Sequence, residues 1–312
     1  MNNLIFIGTN NFAAEILEKL IKKNIKIICT ITKPDNEFGR GHKITKYPVK
    51  ITSEKYSIPC ITEEKINSLE SENKIKHLFP NLIIMVDYGE KIKKNIINIA
   101  KYGIINIHPS ILPKLKGPTP IQTAILNGEK ETGVSIIKIN NKIDSGNILN
   151  IMTYKIKKND NYEKLFKNLS RLAVTCLIKT IKDIENKKII EKIQKIKKST
   201  YTQKIENDFY KINWNDTAIN IERKVKALTG IKYPFTIFKN EKIKIVYVKL
   251  IKRNIISTPG VIKNVNKNGI DITTKENIIR IKKLQFQGKK IITVKDMLNS
   301  KKNLFKINEF FE

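Results

Sequence analysis

Short apolar runs and amphipathic stretches alternate along the first third of the chain. Continuous apolar runs without alternation are typical of parallel strands that are covered on both faces. Such runs predict strands at residues 4–8, 25–31, 81–86 and 104–108. Apolar residues at three- and four-residue intervals predict helices near residues 11–21, 65–78 and 91–100. The alternation predicts an α/β fold with a Rossmann-like, doubly wound sheet, whose ligands bind beyond the carboxyl ends of the strands.

The pattern changes after residue 185. A long amphipathic helix over 161–181 should close the first domain, and a Lys-rich stretch with isolated Ile residues follows it. We therefore expect two domains, 1–205 and 206–312. After a helix at about 217–228, the second contains brief β-type runs that predict a small β-barrel, OB-like in type. These runs lie at 235–238, 243–250, 260–265, 270–273 and 278–284.

A basic stretch from Lys33 to Lys50 is longer than most connections in a compact sheet protein. Arg40, one of few arginines in the chain, stands between two glycines that would let the backbone bend. Its planar guanidinium and the charges of Lys43, Lys46 and Lys50 could address phosphates or bases. The alternative is a solvated surface loop, and we favour nucleic-acid contact.

The formal net charge of +31 predicts attraction to polyanions, with nucleic acid the first candidate. Lys, Ile and Asn saturate the whole chain, so compositional bias accounts for part of this charge. No apolar run is long enough to cross a bilayer, and the opening residues lack the features of a cleavable signal. We expect a cytoplasmic protein with no membrane partner. The three cysteines predict neither a disulfide framework nor, with the three histidines, a metal site.

Candidate chemistry begins at the end of the predicted strand 104–108. Asn106 and His108 are two residues apart, so their side chains point to the same face of that strand. A carboxamide can donate to a carbonyl oxygen that becomes negative during attack, and an imidazole can polarise that oxygen or handle protons. The carboxylate of Asp144 could orient the imidazole and help deprotonate an attacking amine. The set therefore predicts transfer of a one-carbon acyl group.

An isolated Asn-x-His tripeptide occurs by chance, so the surrounding residues decide how it is interpreted. Asn106-Ile-His-Pro-Ser-Ile-Leu-Pro113, Gly117, Glu131-Thr-Gly133 and Asp144-Ser-Gly146 follow one another in order. This series resembles the folate-dependent formyltransferases, and further matching segments extend over nearly the whole chain. The resemblance implies an N-terminal formyltransferase domain and a C-terminal barrel of the oligonucleotide-binding type.

The resemblance also implies an activity, its substrates and the residues responsible. A formyl group would pass from 10-formyltetrahydrofolate to the methionine amine of initiator tRNA, on an enzyme that uses no metal and that we expect to be a monomer. Asn106 and His108 would polarise the formyl oxygen, and Asp144 would act with His108 in proton transfer. Other expected contacts are with folate, at Ser110, Ile111, Leu112, Pro113, Tyr88 and Gly89, and with the tRNA acceptor stem, at Arg40, Lys43, Lys46 and Lys50.

Two departures from the family pattern stand near this site. Lys114 and Lys116 occupy positions where arginines are common, which keeps the charge and loses bidentate geometry. Asp87 replaces a residue that is usually small and apolar, and a buried unpaired carboxylate there would be costly. Neither departure removes Asn106, His108 or Asp144, the three groups on which the predicted chemistry depends.

Other readings share the same three residues. Formyltransferases that act on glycinamide ribonucleotide or nucleotide sugars, and relatives that hydrolyse formylfolate, have the Asn-His-Asp set as well. The basic loop and the basic C-terminal part favour tRNA. A nonenzymatic RNA-binding protein on a degenerate scaffold would be expected to lack one of the three residues, and all three are present.

Overall fold

The computed structural model describes residues 1–38, 43–253, 257–300 and 304–312, and these form two compact units. The first unit comprises Met1–Pro120, Glu131–Lys155 and Phe166–Thr202. The second comprises Ile121–Lys130, Ile156–Leu165 and Gln203–Glu312. Compactness does not show that either part folds alone, so the division into domains 1–205 and 206–312 remains a prediction.

A seven-stranded sheet forms the centre of the first unit. Its strands are β1 (Leu4–Gly8), β2 (Ile27–Thr32), β5 (Cys60–Thr62), β6 (Leu82–Val86), β7 (Ile104–His108), β8 (Glu131–Lys138) and β9 (Ile148–Lys155). They lie in the order β5-β2-β1-β6-β7-β8-β9, with the first five parallel. β8 runs antiparallel to β7, and β9 antiparallel to β8. The Rossmann-like sheet predicted from the apolar runs is confirmed, and the antiparallel edge is an addition to it.

Helices connect the parallel strands. They are α1 (Asn11–Lys22), α2 (Pro48–Lys55), α3 (Leu69–Lys76) and α4 (Lys94–Ile97). Later in the chain come α5 (Pro120–Asn127) and the long α6 (Tyr162–Glu185). The predicted helix at 91–100 is reduced to the single turn α4. No helix within the described residues is long and apolar enough to cross a membrane.

The stretch from Lys33 to Lys50 is more ordered than the sequence predicted. It contains a small antiparallel hairpin of β3 (Asn36–Phe38) and β4 (Lys43–Thr45), and its last residues begin α2. The irregular loop predicted over the whole stretch is therefore wrong at both ends. Pro48 is the first residue of α2, where its missing N–H costs no helical hydrogen bond.

The central strands are apolar on both faces because both faces are covered. Leu4, Ile5, Phe6 and Ile7 of β1 are all essentially inaccessible to solvent. β7 differs, because it carries two buried polar side chains, Asn106 and His108, among its isoleucines. Buried polar groups need hydrogen-bond partners, so these two residues indicate a polar site within the otherwise apolar core.

The second unit contains an antiparallel sheet. Its strands are β10 (Phe235–Phe238), β11 (Glu241–Ile251), β12 (Ile262–Asn266), β13 (Gly269–Thr273), β14 (Ile278–Phe286) and β15 (Ile292–Thr293), and its helices are α7 (Ala218–Leu228) and α8 (Val294–Ser300). The order is β10-β11-β14-β13-β12, with β15 paired to β14. Thr217 caps α7 by accepting from the Asn220 N–H, and Trp214 Nε1 donates to Thr236 Oγ1 over 2.9 Å inside the core.

Residues 308–312 join the two edges of this sheet. The Glu312 N–H donates to the carbonyl of Ile237 beside β10, over 2.9 Å. The N–H groups of Asn308 and Phe311 donate to the carbonyls of Ile262 and Gly260 at the β12 edge, each over 2.9 Å. Satisfying both edges closes the sheet, which removes the exposed strand edges that invite aggregation. The sequence predicted the strands of the barrel, and this closing segment was not among them.

Candidate active site

β7 delivers two of the three candidate catalytic side chains to one place. Asn106 Nδ2 donates to Asp144 Oδ1 over 3.3 Å, and His108 Nδ1 lies 3.5 Å from Asp144 Oδ2. Asn106 is 8% exposed, His108 4%, and the Asp144 side chain 11%. The alternation of side chains along a strand explains why Asn106 and His108 reach the same carboxylate. The structure therefore brings together the three residues that the sequence predicted.

A backbone carbonyl fixes the orientation of the imidazole. His108 Nε2 lies 2.8 Å from the carbonyl oxygen of Leu115, in a buried setting. A carbonyl can only accept, so Nε2 carries the hydrogen and donates it. Nδ1 is then the ring nitrogen that faces Asp144 and remains for chemistry.

Asp144 lies in the connection between β8 and β9, in a left-handed backbone conformation with φ of +47°. Its Oδ2 accepts a hydrogen bond of 2.9 Å from the backbone N–H of Gly117. The carboxylate thus takes one donor from β7, at Asn106, and one from the loop that follows β7. These two bonds fix the distance between Asp144 and the imidazole of His108.

Lys116 is almost fully buried next to this loop. Burial lowers the pKa of its ammonium, and the nearby charge of Asp144 opposes that shift. The Lys116 ammonium is thus a buried group close to the Asp144 carboxylate.

A segment from Gln194 to Thr202 lies against both loops of the site. Gln194 Nε2 donates to the carbonyl oxygens of Asp144 and Gly146, over 2.9 and 2.8 Å. Thr200 Oγ1 accepts from the Leu115 N–H over 2.9 Å, and the Thr202 N–H donates to the Lys116 carbonyl over 2.7 Å.

Sequence reasoning missed this 194–202 segment, which it treated as part of a Lys-rich crossover between domains. Its contacts are made largely to backbone atoms of the two loops. Every residue type has these atoms, so the contacts leave no recognisable pattern in the sequence of the loops. The one available signal was a lone amide side chain, Gln194, within a run of Lys and Ile.

The predicted folate segment 110–113 makes contacts that anchor it on β8. Ser110 is fully buried, and its hydroxyl donates to the Lys114 carbonyl over 2.7 Å. Ser135 Oγ donates to the Ser110 carbonyl and accepts from the Leu112 N–H. Leu112 belongs to a small core cluster, while Ile111 and Pro113 are half-buried. A direct folate contact by these residues remains a prediction, and their observed role is to hold the turn.

Tyr88 and Gly89 follow β6, the strand beside β7. Tyr88 is buried in the core, and burial raises the pKa of its phenol. Gly89 has φ of +79°, and no atom of the described residues lies within 4 Å of where its Cβ would be. Of the two, Gly89 therefore presents free space to a ligand. Their role in folate binding also remains a prediction.

Asp87 does not have the buried, unpaired carboxylate considered from the sequence. The residue is exposed by surface area, and its carboxylate hydrogen-bonds with Asn10. Protein atoms around the carboxyl nevertheless raise its pKa, because crowding disfavours the charged form, and the bond with Asn10 opposes that shift. Asp87 thus has solvent access and a polar partner, which explains how a carboxylate is tolerated there.

The four residues predicted to contact nucleic acid differ in where the structure places them. Arg40 lies outside the described residues, and Lys43 begins β4. Lys46 Nζ lies 2.8 and 2.9 Å from the two carboxylate oxygens of Glu54, and Lys50 Nζ lies 2.7 Å from Asp35 Oδ2. Two of the four predicted contacts therefore make ion pairs within the protein, and tRNA binding by the four remains a prediction.

His, Cys, Asp and Glu side chains are spread over the described part of the chain. No group of three or more His, Cys, Asp and Glu side chains gathers there in a way that could hold a metal ion. The cysteines are unpaired, and burial raises the pKa of the Cys29 and Cys176 thiols to about 11. At neutral pH these two thiols are therefore protonated core groups.

Comparison with known proteins places both parts of the chain in one family. The sequence profile described as formyl transferase matches residues 1–181, and the profile described as formyl transferase, C-terminal domain, matches residues 204–302. Methionyl-tRNA formyltransferase of Buchnera aphidicola subsp. Acyrthosiphon pisum is 40% identical over 97% of each chain. The enzyme of that name from Pelagibacter ubique is 40% identical over 92% of each chain.

Solved structures support the same fold. The N-formyltransferase from Helicobacter canadensis, in complex with folinic acid and dTDP-3-aminofucose, superposes with a TM-score of 0.65 at 24% identity, covering 90% of this chain and 99% of that one. Methionyl-tRNA formyltransferase from Clostridium thermocellum gives a TM-score of 0.57 at 19% identity, covering 88% of this chain and all of that one. At these identities the solved structures show the fold alone. The sequence relatives that match over nearly the whole chain show the family. The chain belongs to the formyl transferase family and, within it, to the methionyl-tRNA formyltransferases.

Proposed function

We propose that this protein transfers the formyl group of 10-formyltetrahydrofolate to the α-amino group of methionyl initiator tRNA. The observation that carries the proposal is the convergence of Asn106, His108 and Asp144. The carboxylate of Asp144 lies within 3.3 Å of the Asn106 amide nitrogen and 3.5 Å of His108 Nδ1. A carboxamide donor, an oriented imidazole and a carboxylate base are the groups that acyl transfer to an amine requires.

The reaction needs no covalent enzyme intermediate. The amine nitrogen of methionine forms a bond to the formyl carbon, and the carbonyl oxygen becomes an oxyanion. Asn106 Nδ2 donates a hydrogen bond to that oxyanion, and His108 Nδ1 donates a second one when the ring is in its doubly protonated form. The bond between the formyl carbon and N10 of the folate then breaks.

Proton transfer accompanies these two steps. Asp144 takes the proton that the attacking nitrogen loses, with His108 beside it to balance the charge. Asp144 returns that proton to N10 as the bond to the folate breaks and the oxyanion becomes a carbonyl again, so the products are the formylated amine and tetrahydrofolate. The bond from His108 Nε2 to Leu115 holds the ring so that only Nδ1 addresses the reacting atoms.

Charge supports a nucleic-acid acceptor over a small amine. The chain carries 60 Lys and Arg against 29 Asp and Glu, and both the 33–50 stretch and the second unit are rich in lysine. A small sugar or ribonucleotide amine offers few phosphates, so its recognition needs no extended basic surface. Neutralising several phosphates would make the binding strongly dependent on salt.

A formylation assay tests the proposal. Purified protein should formylate methionyl initiator tRNA when given 10-formyltetrahydrofolate, and elongator methionyl-tRNA much less. A dTDP-amino sugar and water serve as competing acceptors in parallel, with formyl sugar and formate as their products. Dominant formylation of the sugar, or release of formate without tRNA product, would contradict the proposed acceptor.

Variants test the chemistry separately from the acceptor. His108→Ala and Asp144→Ala should each lower kcat by about 10²- to 10⁴-fold, the usual contribution of a positioned acid or base. Binding of tRNA, measured by filter retention, should stay within about threefold because neither side chain is a phosphate ligand in this scheme. Full turnover by both variants would refute the assigned roles.

A further inference from the structure

We propose that Gln194 is a positioning residue for the reaction, which holds the carboxylate of Asp144 against Asn106 and His108. The inference rests on the proposed function, because it gives Gln194 a role only if Asp144 takes part in the chemistry. Gln194 comes 50 residues after Asp144 in the chain. It bonds the backbone carbonyl of Asp144, and a contact of this kind leaves no pattern in the sequence.

The side chain of Gln194 is placed as a double donor. It is 6% exposed, and its Nε2 donates to the carbonyls of Asp144 and Gly146 over 2.9 and 2.8 Å. Both partners are carbonyl oxygens, which only accept, so the amide must present its nitrogen to them. Its Oε1 is buried and has no hydrogen-bond partner among the described residues. Burying an oxygen without a partner costs free energy, so Oε1 does not explain why a glutamine is buried here. The two hydrogen bonds donated by Nε2 do.

Within the turn that carries Asp144, Asn140 Oδ1 accepts hydrogen bonds from the Lys142 N–H and the Ser145 hydroxyl, and these bonds hold the turn together without tying it to the rest of the site. Asp144 has φ of +47°, a conformation that costs a non-glycine residue about 1 kcal/mol or more. Neighbouring Ile143 is 71% exposed, so packing does not fix the turn on that side. At Gly146 an added Cβ would lie 1.6 Å from the Lys138 carbonyl oxygen, so the backbone of Gly146 packs directly against that of Lys138 and leaves no room for a side chain. The bonds from Gln194 connect this strained turn to a buried group.

The same segment also holds the other half of the site. Thr200 and Thr202 bond the backbone of Leu115 and Lys116, and Leu115 provides the carbonyl to which His108 donates. Gly117, two residues on from Leu115, donates to Asp144. One continuous piece of chain, 194–202, therefore sets the distance between the loop that orients His108 and the turn that carries Asp144.

Misplacing a reacting group by about 1 Å costs up to about 100-fold in rate. Loss of the Gln194 bonds would let the Asp144 turn relax while the binding surfaces for folate and tRNA stay in place. The effect should therefore fall on kcat and spare the KM of either substrate.

The test uses two substitutions in the full-length protein. Gln194→Glu keeps the shape and removes both N–H donors, and Gln194→Met keeps the length and removes all hydrogen bonding. We expect each to lower kcat for formylation of methionyl-tRNA by about 10- to 100-fold. Both KM values should stay within about threefold, since neither substrate contacts Gln194 in this scheme. Gln203→Glu is the matched control, an exposed glutamine nine positions later, and should keep wild-type kcat.

Each of the following results would overturn the proposal. Wild-type kcat in both folded variants would show that Asp144 does not need the anchor. A rise of both KM values in step with the fall in kcat, or failure of both variants to fold in thermal melts, would make Gln194 a purely structural residue. Retained activity in Asp144→Ala, measured alongside, would remove the proposed function itself. Low activity in Asp144→Ala with full activity at Gln194→Glu and Gln194→Met would refute the positioning role alone.

Discussion

The backbone N–H of Gly117 donates a 2.9 Å hydrogen bond to Oδ2 of Asp144, across 27 residues of sequence. The bond joins the loop after β7 to the turn between β8 and β9. Because the loop also carries the Leu115 carbonyl that orients His108, this contact fixes the carboxylate relative to the imidazole. The Gly117 N–H and the Leu115 carbonyl thus help to hold the catalytic side chains in position.

Gly117→Ala should disturb that geometry. Gly117 has φ of +107°, and an added Cβ would lie 2.9 Å from Thr202 Oγ1 and 3.0 Å from the Thr202 carbonyl. The loop must shift to relieve the overlap, so we expect kcat to fall by at least about tenfold. Gly103→Ala is the control, because φ is +76° there and the nearest atom is 3.8 Å away. Equal kcat in the two variants would mean that backbone strain alone, and not the Thr202 contact, explains any loss.

The ion pair between Lys50 and Asp35 predicts how the basic loop responds to substitution. Both side chains are half-buried, and the pair joins the two ends of the segment that holds the β3–β4 hairpin. If the pair braces this segment, Asp35→Ala and Lys50→Ala should raise the KM for tRNA by similar amounts, and the double variant should add little. Steady-state formylation with varied tRNA measures this.

The opposite result would assign Lys50 to the nucleic acid. If Lys50 binds a phosphate directly, Asp35→Ala frees its charge and should lower the KM for tRNA, while Lys50→Ala raises it. Lys46→Ala, at the exposed pair with Glu54, provides a comparison of equal charge change. Arg40→Ala should raise the KM for tRNA more than that for folate and make its salt dependence shallower.

Glu18 gives the protein a stability contribution that depends on pH. Hydrogen bonds from Lys55, Tyr56 and Lys22 lower the pKa of its carboxyl to about 2. A pKa below the unfolded value means that the contribution is fully present above about pH 4.5 and is lost as pH falls toward 2. After allowance for solvent screening, Glu18→Gln should lower the free energy of unfolding by about 1 kcal/mol at pH 7.

Urea unfolding at pH 7, 4 and 2.5 would test this dependence. The difference between wild type and Glu18→Gln should shrink steadily over that series. Glu15→Gln removes the same charge from the same helix and should have a smaller effect, because among the described residues Glu15 has one ion-pair partner, Lys19. A difference that stays constant with pH would contradict the proposed origin of the Glu18 effect.

Adjacent phenylalanines near the closing segment of the barrel allow a matched comparison. Phe311 is 3% exposed and packs 5.0 Å from the Phe238 ring, whereas Phe310 is 60% exposed. Phe311→Ala should destabilise the second unit by about 3–5 kcal/mol, the usual cost of emptying a buried aromatic site. Phe310→Ala should cost no more than about 0.5 kcal/mol. Similar losses in thermal unfolding of the two variants would show that the closing segment is held by backbone bonds alone.

The parallel sheet was predictable from sequence because its strands are short, apolar and covered on both faces. β1 and β7 were predicted to the residue, and α7 to within one residue of its start. β8 and β9 were not predicted as strands, because Glu131–Lys138 was interpreted as a motif and its isoleucines were not counted as a run. Within the 33–50 stretch, the hairpin lacks the apolar alternation by which strands are recognised.

The candidate site shows the same division. Asn106 and His108 could be placed on one face from strand geometry alone. Asp144 was proposed as the carboxylate that the chemistry needs, and the resemblance gave it the same role. Gln194 and Thr200 could not be found from the sequence, because each bonds a backbone atom. Gly117 belonged to the motif series, but its bond to Asp144 was not predictable because it is made by a backbone N–H. Backbone atoms are present at every position, so a contact to them places no demand on the residue type of its partner.

The anchoring role of residues 194–202 bears on how the protein can be dissected. The family profile for the N-terminal part ends at residue 181, which makes that position an obvious place to cut. A fragment ending there would include Asn106, His108 and Asp144 and would lack every hydrogen bond from Gln194, Thr200 and Thr202. Any truncation meant to preserve the chemistry has to run past Thr202, because the bonds that assemble the site extend twenty-one residues beyond the profile.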